Sequence, residues 1–189
     1  NKYEGAITVR RALGQSRNIP AVKTLARIGV PTLIPYLQRF GITSKIEPYL
    51  PVALGASDIT LIEMTSAYST FPNDGVRVVP RYITRVTDYD GNVLEENQPE
   101  FRDVISAEKA RVMVDLLQEP VRSGTAVKAK VLGRPIAGKT GTTNDYTDAW
   151  FIGFTPSLTL GVWIGFDEKV TLGDEETGAR AALPRNLRR

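Results

Sequence analysis

The sequence has 189 residues, 42% hydrophobic and 24% charged, a composition typical of one globular domain with its own core. It contains neither cysteine nor histidine, which excludes disulfides and thiolate metal sites and leaves Lys, Tyr and carboxyl groups for acid–base chemistry. The net charge of +3 is scattered, with small groups at Arg10–Arg11 and at Arg185, Arg188 and Arg189, so we expect no nucleic-acid partner, and we expect no metal or cofactor.

Helices are predicted in the first part of the chain, where stretches of apolar periodicity are separated by helix breakers. The run Ser16-Arg17-Asn18 interrupts the first two of them. Asn18 is expected to be the N-cap of the second helix, with Pro20 in its first turn. The predicted helical spans are 8–14, 19–28, 31–40 and 60–71.

The second part of the chain combines one helix with strands. Residues 81–96 are predicted to form a hairpin that turns at Asp90–Gly91, and Ser106 is expected to cap a helix over 107–118. Ser123-Gly124-Thr125 then breaks the chain before a strand that holds Lys139. Helices followed by closing strands predict an α+β fold, with an antiparallel sheet flanked by helices.

Residues 149–166, "AWFIGFTPSLTLGVWIGF", carry no charge, and their length is near the lower limit for a membrane-spanning helix. However, Thr155-Pro156-Ser157 is a turn signal in the middle. After it, apolar residues alternate from Leu158 to Phe166, and a period of two is typical of a strand. The segment is therefore predicted to be a hairpin buried on at least one face, with glycines that let another element approach the other face.

Residues 133–143, "GRPIAGKTGTT", fit two unrelated motifs. The first eight fit the phosphate-binding loop G-x-x-x-x-G-K-[ST], and K-T-G is a signature of penicillin-interacting enzymes. A phosphate-binding loop needs a helix directly after it, and "GTTNDYTDAW" has no helical periodicity. We therefore expect no nucleotide and interpret Lys139-Thr140-Gly141-Thr142 as a strand at the rim of a cleft.

A second triplet, Ser16-x-Asn18, is a weak signal by itself, because S-x-N is common and Asn18 has an alternative interpretation as a helix cap. The position of the triplet in the chain supports its interpretation as a motif. It lies at a helix break upstream of K-T-G, with enough chain between the two for the fold to bring them together.

Taken together, these motifs resemble the C-terminal part of the transpeptidase domain of a class A (bifunctional) penicillin-binding protein. The matching stretches are "EGAITVRRALGQSRNIPAVKTL", "LPVALGASDITLIEMTSAYSTFPNDGV" and "GRPIAGKTGTTNDYTDAWFIGFTPSLTLGVWIGFDE". The resemblance implies a fold similar to that of serine β-lactamases and D,D-transpeptidase chemistry on peptidoglycan stem peptides ending in D-Ala-D-Ala, which β-lactams mimic. Residues 1–189 would form one partial domain.

For Ser16-x-Asn18 and the lysine of K-T-G, the resemblance implies three roles. Ser16 would relay protons between the leaving amine and the active-site lysines. Asn18 would hydrogen-bond the backbone amide of the substrate. Lys139 would supply a positive charge close to Ser16 and to the terminal carboxylate of the substrate.

For the rest of the K-T-G-T strand, the resemblance implies that the hydroxyls of Thr140 and Thr142 bind that carboxylate. Gly141 would allow the substrate to lie against the strand, and the backbone N–H of Thr142 would supply half of an oxyanion hole. Tyr146, beside the motif, is a candidate for contact with substrate. Asp148 and Trp150 are expected to be structural.

The chain departs from the family pattern at the nucleophile. The family's S-x-x-K motif precedes S-x-N, whereas the match here, Ser106-Ala-Glu-Lys109, follows it and is better explained as a helix start. We therefore expect the nucleophile, a membrane anchor and a glycosyltransferase domain upstream of this segment, the domain on the extracytoplasmic (periplasmic) side of the membrane, and this chain alone to be inactive.

Two alternatives remain open at this point. The chain could come from a D,D-carboxypeptidase or a β-lactamase-like hydrolase, or from a non-catalytic penicillin-binding sensor module. The extended match around "DAWFIGFTP" favours the transpeptidase.

Overall fold

The computed structural model describes residues 4–183. The C-terminal arginines noted above lie outside these residues. Over the described part, the α-helices are α1 (Val9–Gly14), α2 (Asn18–Ile28), α3 (Val30–Arg39), α4 (Leu61–Ser69) and α5 (Ala107–Arg122). The strands are β1 (Val76–Val78), β2 (Arg85–Thr87), β3 (Val93–Glu96), β4 (Phe101–Asp103), β5 (Ala137–Thr142), β6 (Asp148–Phe154) and β7 (Thr159–Gly165).

The predicted helices are present, with one correction at a helix start. Asn18 is not the N-cap of α2: Arg17 occupies that position without a capping side chain, and Asn18 is the first helical residue. At α5, Ser106 holds the expected N-cap position but its side chain makes no capping hydrogen bond. This helix also continues past the predicted end to Arg122, with Pro120 in its last turn.

The principal sheet contains β5, β6 and β7 in that order, all antiparallel. Lys139 of β5 lies opposite Ile152, and Trp150 of β6 lies opposite Trp163. The stretch 149–166 is thus a hairpin, as predicted, and no helix among the residues described is long and apolar enough to cross a membrane. Two small two-stranded sheets, β1–β4 and β2–β3, accompany it, and the second is the predicted hairpin over 81–96.

Helices cover one face of the principal sheet. Leu117 of α5 packs with Ala137 and Phe154 in a core cluster that also includes apolar residues of α1 and α4. α4 crosses β7 at Gly161, where an added Cβ would lie 2.1 Å from Thr65 Oγ1, so glycine permits the close approach that the sequence predicted.

The opposite face of the sheet packs on the segment that links α5 to β5 and on a C-terminal turn, Gly178–Ala182. This second cluster joins Ala126, Ala149, Phe151 and Ala182, all at most 6% exposed. The layers of helices and sheet confirm the α+β architecture.

The predicted burial of the hairpin holds for β6 and fails for most of β7. Val162 packs against the second cluster. The other apolar residues of the same alternation are exposed: Leu158 is 63%, Leu160 52%, Ile164 37% and Phe166 56% exposed. Alternation therefore identified the strand correctly, but nothing in the described residues covers this face beyond Val162.

Candidate active site

Ser16 lies in a tight turn at the end of α1. Its own N–H donates to the carbonyl of Leu13 at 3.1 Å, and the N–H of Arg17 donates to Ala12 at 2.9 Å. This pair of bonds is a Schellman motif, whose central position usually holds glycine because the backbone there is left-handed. Ser16 occupies this position with φ 53°, a backbone conformation that glycine adopts with less strain than serine does.

The turn brings Ser16 to the Lys139 side chain. Lys139 Nζ donates to Ser16 Oγ at 2.8 Å and to the carbonyl of Thr140 at 2.8 Å. The pair is separated by 123 residues in the sequence, so the fold, rather than local structure, unites the two triplets. Neither of these two partners is negatively charged, and burial lowers the pKa of Lys139 to about 8.

Strand β5 presents its residues on two faces. Lys139 and Gly141 share the face that packs on the helices, and Thr140 and Thr142 share the other. On this second face Thr140 Oγ1 donates to Thr125 Oγ1 at 2.7 Å, while the N–H of Gly178 donates to Thr142 Oγ1 at 3.0 Å.

Thr125 and Gly178 were not identified from the sequence. Ser123-Gly124-Thr125 was interpreted only as a chain break, and Gly178 was not singled out. Neither lies in a motif, so no local signal distinguished them.

Asn18 and Tyr146 flank the site without joining its hydrogen bonds. Asn18 is exposed at the start of α2, two residues from Ser16. Tyr146 lies in the turn after β5 with φ 53°, and its carbonyl accepts from the N–H of Leu172 at 2.8 Å. Neither side chain hydrogen-bonds another described residue.

The residues expected to be structural support the β5–β6 turn. The carboxylate of Asp148 accepts from the indole N–H of Trp163 at 2.9 Å and from the Thr147 hydroxyl at 2.8 Å. Trp150 is partly buried and packs against Trp163 in a tilted arrangement, with the ring centroids 6.4 Å apart. These contacts lock the turn that carries Tyr146.

Ser106 lies far from this constellation. It stands at the N-terminus of α5, whereas Gly14, next to the Ser16 turn, packs on Glu119 near the other end. The helical rise between Ser106 and Glu119 is about 20 Å. The residues described also contain no cluster of acidic side chains that could hold a metal ion.

Comparison with known proteins points to one family. The model of the penicillin binding protein transpeptidase domain matches residues 1–168. Penicillin-binding protein 1A of Aquifex aeolicus is 43% identical over 183 residues, 97% of this chain and 25% of that protein. The Neisseria meningitidis protein of the same name is 40% identical over 190 residues, and this chain spans about a quarter of the length of either relative.

Solved structures show the same fold. The crystal structure of penicillin-binding protein 1A from Haemophilus influenzae aligns with a TM-score of 0.87 at 30% identity, covering 94% of this chain and 33% of that one. An imipenem acyl-enzyme complex of penicillin-binding protein A from M. tuberculosis aligns with a TM-score of 0.78 at 20% identity, over 96% of this chain and 47% of that one, and supports the fold alone. The chain belongs to the penicillin binding protein transpeptidase domain family.

Proposed function

We propose that the protein to which this segment belongs cross-links peptidoglycan by acyl transfer from stem peptides ending in D-Ala-D-Ala, and that β-lactams acylate it as mimics of those peptides. The observation that carries the proposal is the 2.8 Å bond between Lys139 Nζ and Ser16 Oγ, which unites two motifs distant in sequence. The names of the relatives favour a transpeptidase over a hydrolase or a sensor module.

In this proposal the positive charge of Lys139 attracts the terminal carboxylate of the stem peptide. Its ammonium also donates a hydrogen bond that orients Ser16. Because Ser16 Oγ accepts from Lys139, its own proton is free to move toward the leaving amine. Asn18 holds the acyl donor in register, and Tyr146 forms a wall beside it.

The strand provides the remaining groups. Thr140 and Thr142 donate their hydroxyl protons to the carboxylate. Gly141 leaves room for the substrate, and the N–H of Thr142 contributes to an oxyanion hole. The acylated serine comes from outside residues 1–189, in a larger protein that also holds a membrane anchor and a glycosyltransferase domain and places this domain on the extracytoplasmic side.

Removal of the Lys139 amine tests the proposal. In the full-length protein, we expect Lys139→Ala to slow acylation by a labelled penicillin at least about tenfold, the equivalent of about 1.4 kcal/mol of transition-state stabilisation. Lys130→Ala is the matched control, because Lys130 is exposed in the segment before β5. Equal labelling of the two variants would contradict the role of Lys139.

The proposed origin of the nucleophile has its own test. We expect the 189-residue chain to form no covalent adduct with a β-lactam, as measured by intact-mass spectrometry. A stoichiometric adduct on Ser106 would overturn its assignment to the helix start, and one on Ser16 would overturn its assignment as a proton relay.

A further inference from the structure

We infer that Thr125 is a positioning residue that holds the Thr140 hydroxyl ready for the carboxylate of the substrate. The inference deepens the proposed function and rests on it. Its starting point is the 2.7 Å bond between Thr140 Oγ1 and Thr125 Oγ1, in which both residues are partly buried.

The backbone holds Thr125 against both motifs. Its N–H donates to the carbonyl of Gly14 at 3.2 Å, two residues before Ser16. Next to it, a Cβ on Gly124 would lie 1.9 Å from that carbonyl and 2.8 Å from Pro120 Cα, so only glycine permits this contact. Ala126 is fully buried and donates to Pro120 at 2.9 Å. Thr125 thus lies in a fixed segment between the Ser16 turn and β5.

The two threonines of β5 differ in the hydrogen bonds that their hydroxyls make. Thr142 Oγ1 accepts the N–H of Gly178, so its own proton is free for an anion. Thr140 directs its proton to Thr125. To bind a carboxylate, Thr140 must turn that proton toward it, and its contact with Thr125 then persists only if Thr125 becomes the donor.

Thr125 can supply this donor, because each hydroxyl carries one proton and two acceptor lone pairs. When the carboxylate binds, both hydroxyls rotate: Thr140 donates to the anion and Thr125 donates to Thr140. No proton is transferred between the two residues in this step. The resulting chain of hydrogen bonds strengthens the donation to the anion, because each bond polarises the next.

The test compares two ligands in the full-length protein. We expect Thr125→Val to slow acylation by benzylpenicillin about three- to tenfold. Acylation by the methyl ester of the same penicillin, which has no carboxylate, should be unchanged relative to wild type. Thr125→Ser should restore the rate with the acid. Equal losses with acid and ester would show a merely structural role and overturn the inference.

A double-mutant comparison isolates the path through Thr140. In a Thr140→Val background, Thr125→Val should cause no further loss, since there is no hydroxyl left to position. A full additional loss would overturn the inference. If Thr125→Val lowers the melting temperature, Thr125→Ala is measured for the same difference between acid and ester.

These outcomes are distinguishable from a failure of the proposed function. If wild-type protein is not acylated by benzylpenicillin, the proposed function fails and the inference falls with it. If wild type is acylated and Thr125→Val matches it, the inference alone is wrong.

Discussion

Ser16 combines a strained backbone with a hydroxyl at the candidate site. Its φ of 53° lies in the left-handed region, in a turn position that favours glycine. Strained residues persist where the surrounding structure determines them, and they are frequent at active sites. Here two backbone hydrogen bonds and the Lys139 ammonium hold the residue in place.

This strain leads to a stability prediction. Ser16→Gly and Ser16→Ala both remove the hydroxyl, but only alanine must keep a side chain at positive φ. We expect the glycine variant to have the larger free energy of unfolding, by about 1 kcal/mol, in urea unfolding. At Gln15, where φ is −95°, the same pair should show no advantage for glycine. Equal stability of the two Ser16 variants would contradict the strain.

Lys139 should lose its proton at a lower pH than an exposed lysine. Burial disfavours its charged form and lowers its pKa to about 8, so the positive charge at the site is lost as the pH rises through about 8. The unfolded chain keeps this proton up to about pH 10.4, so this group makes the fold more stable as the pH rises from about 8 to about 10.

Carbon NMR of labelled lysine side chains measures this pKa directly in the 189-residue chain. Lys45 is the internal control, because its hydrogen bond with the Glu47 carboxylate raises its pKa instead. Ordinary titration of Lys139 near that of exposed lysines would show that its amine remains hydrated.

At the scale of elements, Glu63 joins α4 to the loop after α3. Its carboxylate completes a capping box with Thr60 and also accepts from the backbone and hydroxyl groups of Thr43 and Ser44, at 2.5–2.9 Å. Burial alone would raise the pKa of Glu63, but hydrogen bonds from Ser44, Thr43 and Thr60 outweigh it and hold the pKa well below its usual range.

Glu63→Gln should therefore destabilise the fold by about 1–3 kcal/mol at neutral pH, because the amide group cannot accept all of these bonds. Since the folded pKa is depressed, the contribution of the carboxylate is present above its unfolded pKa and lost as the pH falls below about 4.3. The difference in urea midpoint between wild type and variant should shrink from pH 6 to pH 3. Glu47→Gln, at an exposed carboxylate, is the control; a constant difference for Glu63 would contradict the low pKa.

Sequence periodicity and chain breakers predicted most elements, and the exceptions have physical causes. The run Ser16-Arg17-Asn18 was divided wrongly because the Schellman turn of α1 uses the first two residues, and α2 begins directly at Asn18. Pattern alone does not show whether a polar residue ends one helix or starts the next. Likewise, alternation in β7 reveals the strand but not which neighbour covers it.

At the scale of the whole molecule, the two triplets could be predicted to meet only through resemblance to a family, because they are separated by 123 residues. The partners of Thr140 and Thr142 lie 15 and 36 residues away, outside any motif. Such contacts depend on the tertiary arrangement of α5, β5 and the C-terminal turn. Periodicity does not encode that arrangement.

The principal sheet leaves β7 at an edge in the described part of the chain, with β6 as its neighbouring strand. An apolar strand with an open edge offers unpaired N–H and C=O groups to other chains. Leu160 and Ile164 are 52% and 37% exposed beside that edge, which adds apolar surface to the same region.

We therefore expect the purified chain to associate through β7 in a concentration-dependent manner. In hydrogen exchange at low concentration, the β7 amides that point away from β6 should exchange fast, while those bonded to β6 are protected. Leu160→Lys should reduce association in analytical ultracentrifugation, because a charge on an edge strand discourages pairing. Leu94→Lys, on the exposed β3, is the matched control and should leave association unchanged. Uniform slow exchange across β7 in a monomer would mean that the edge is covered within the chain itself, and this topology would then be wrong.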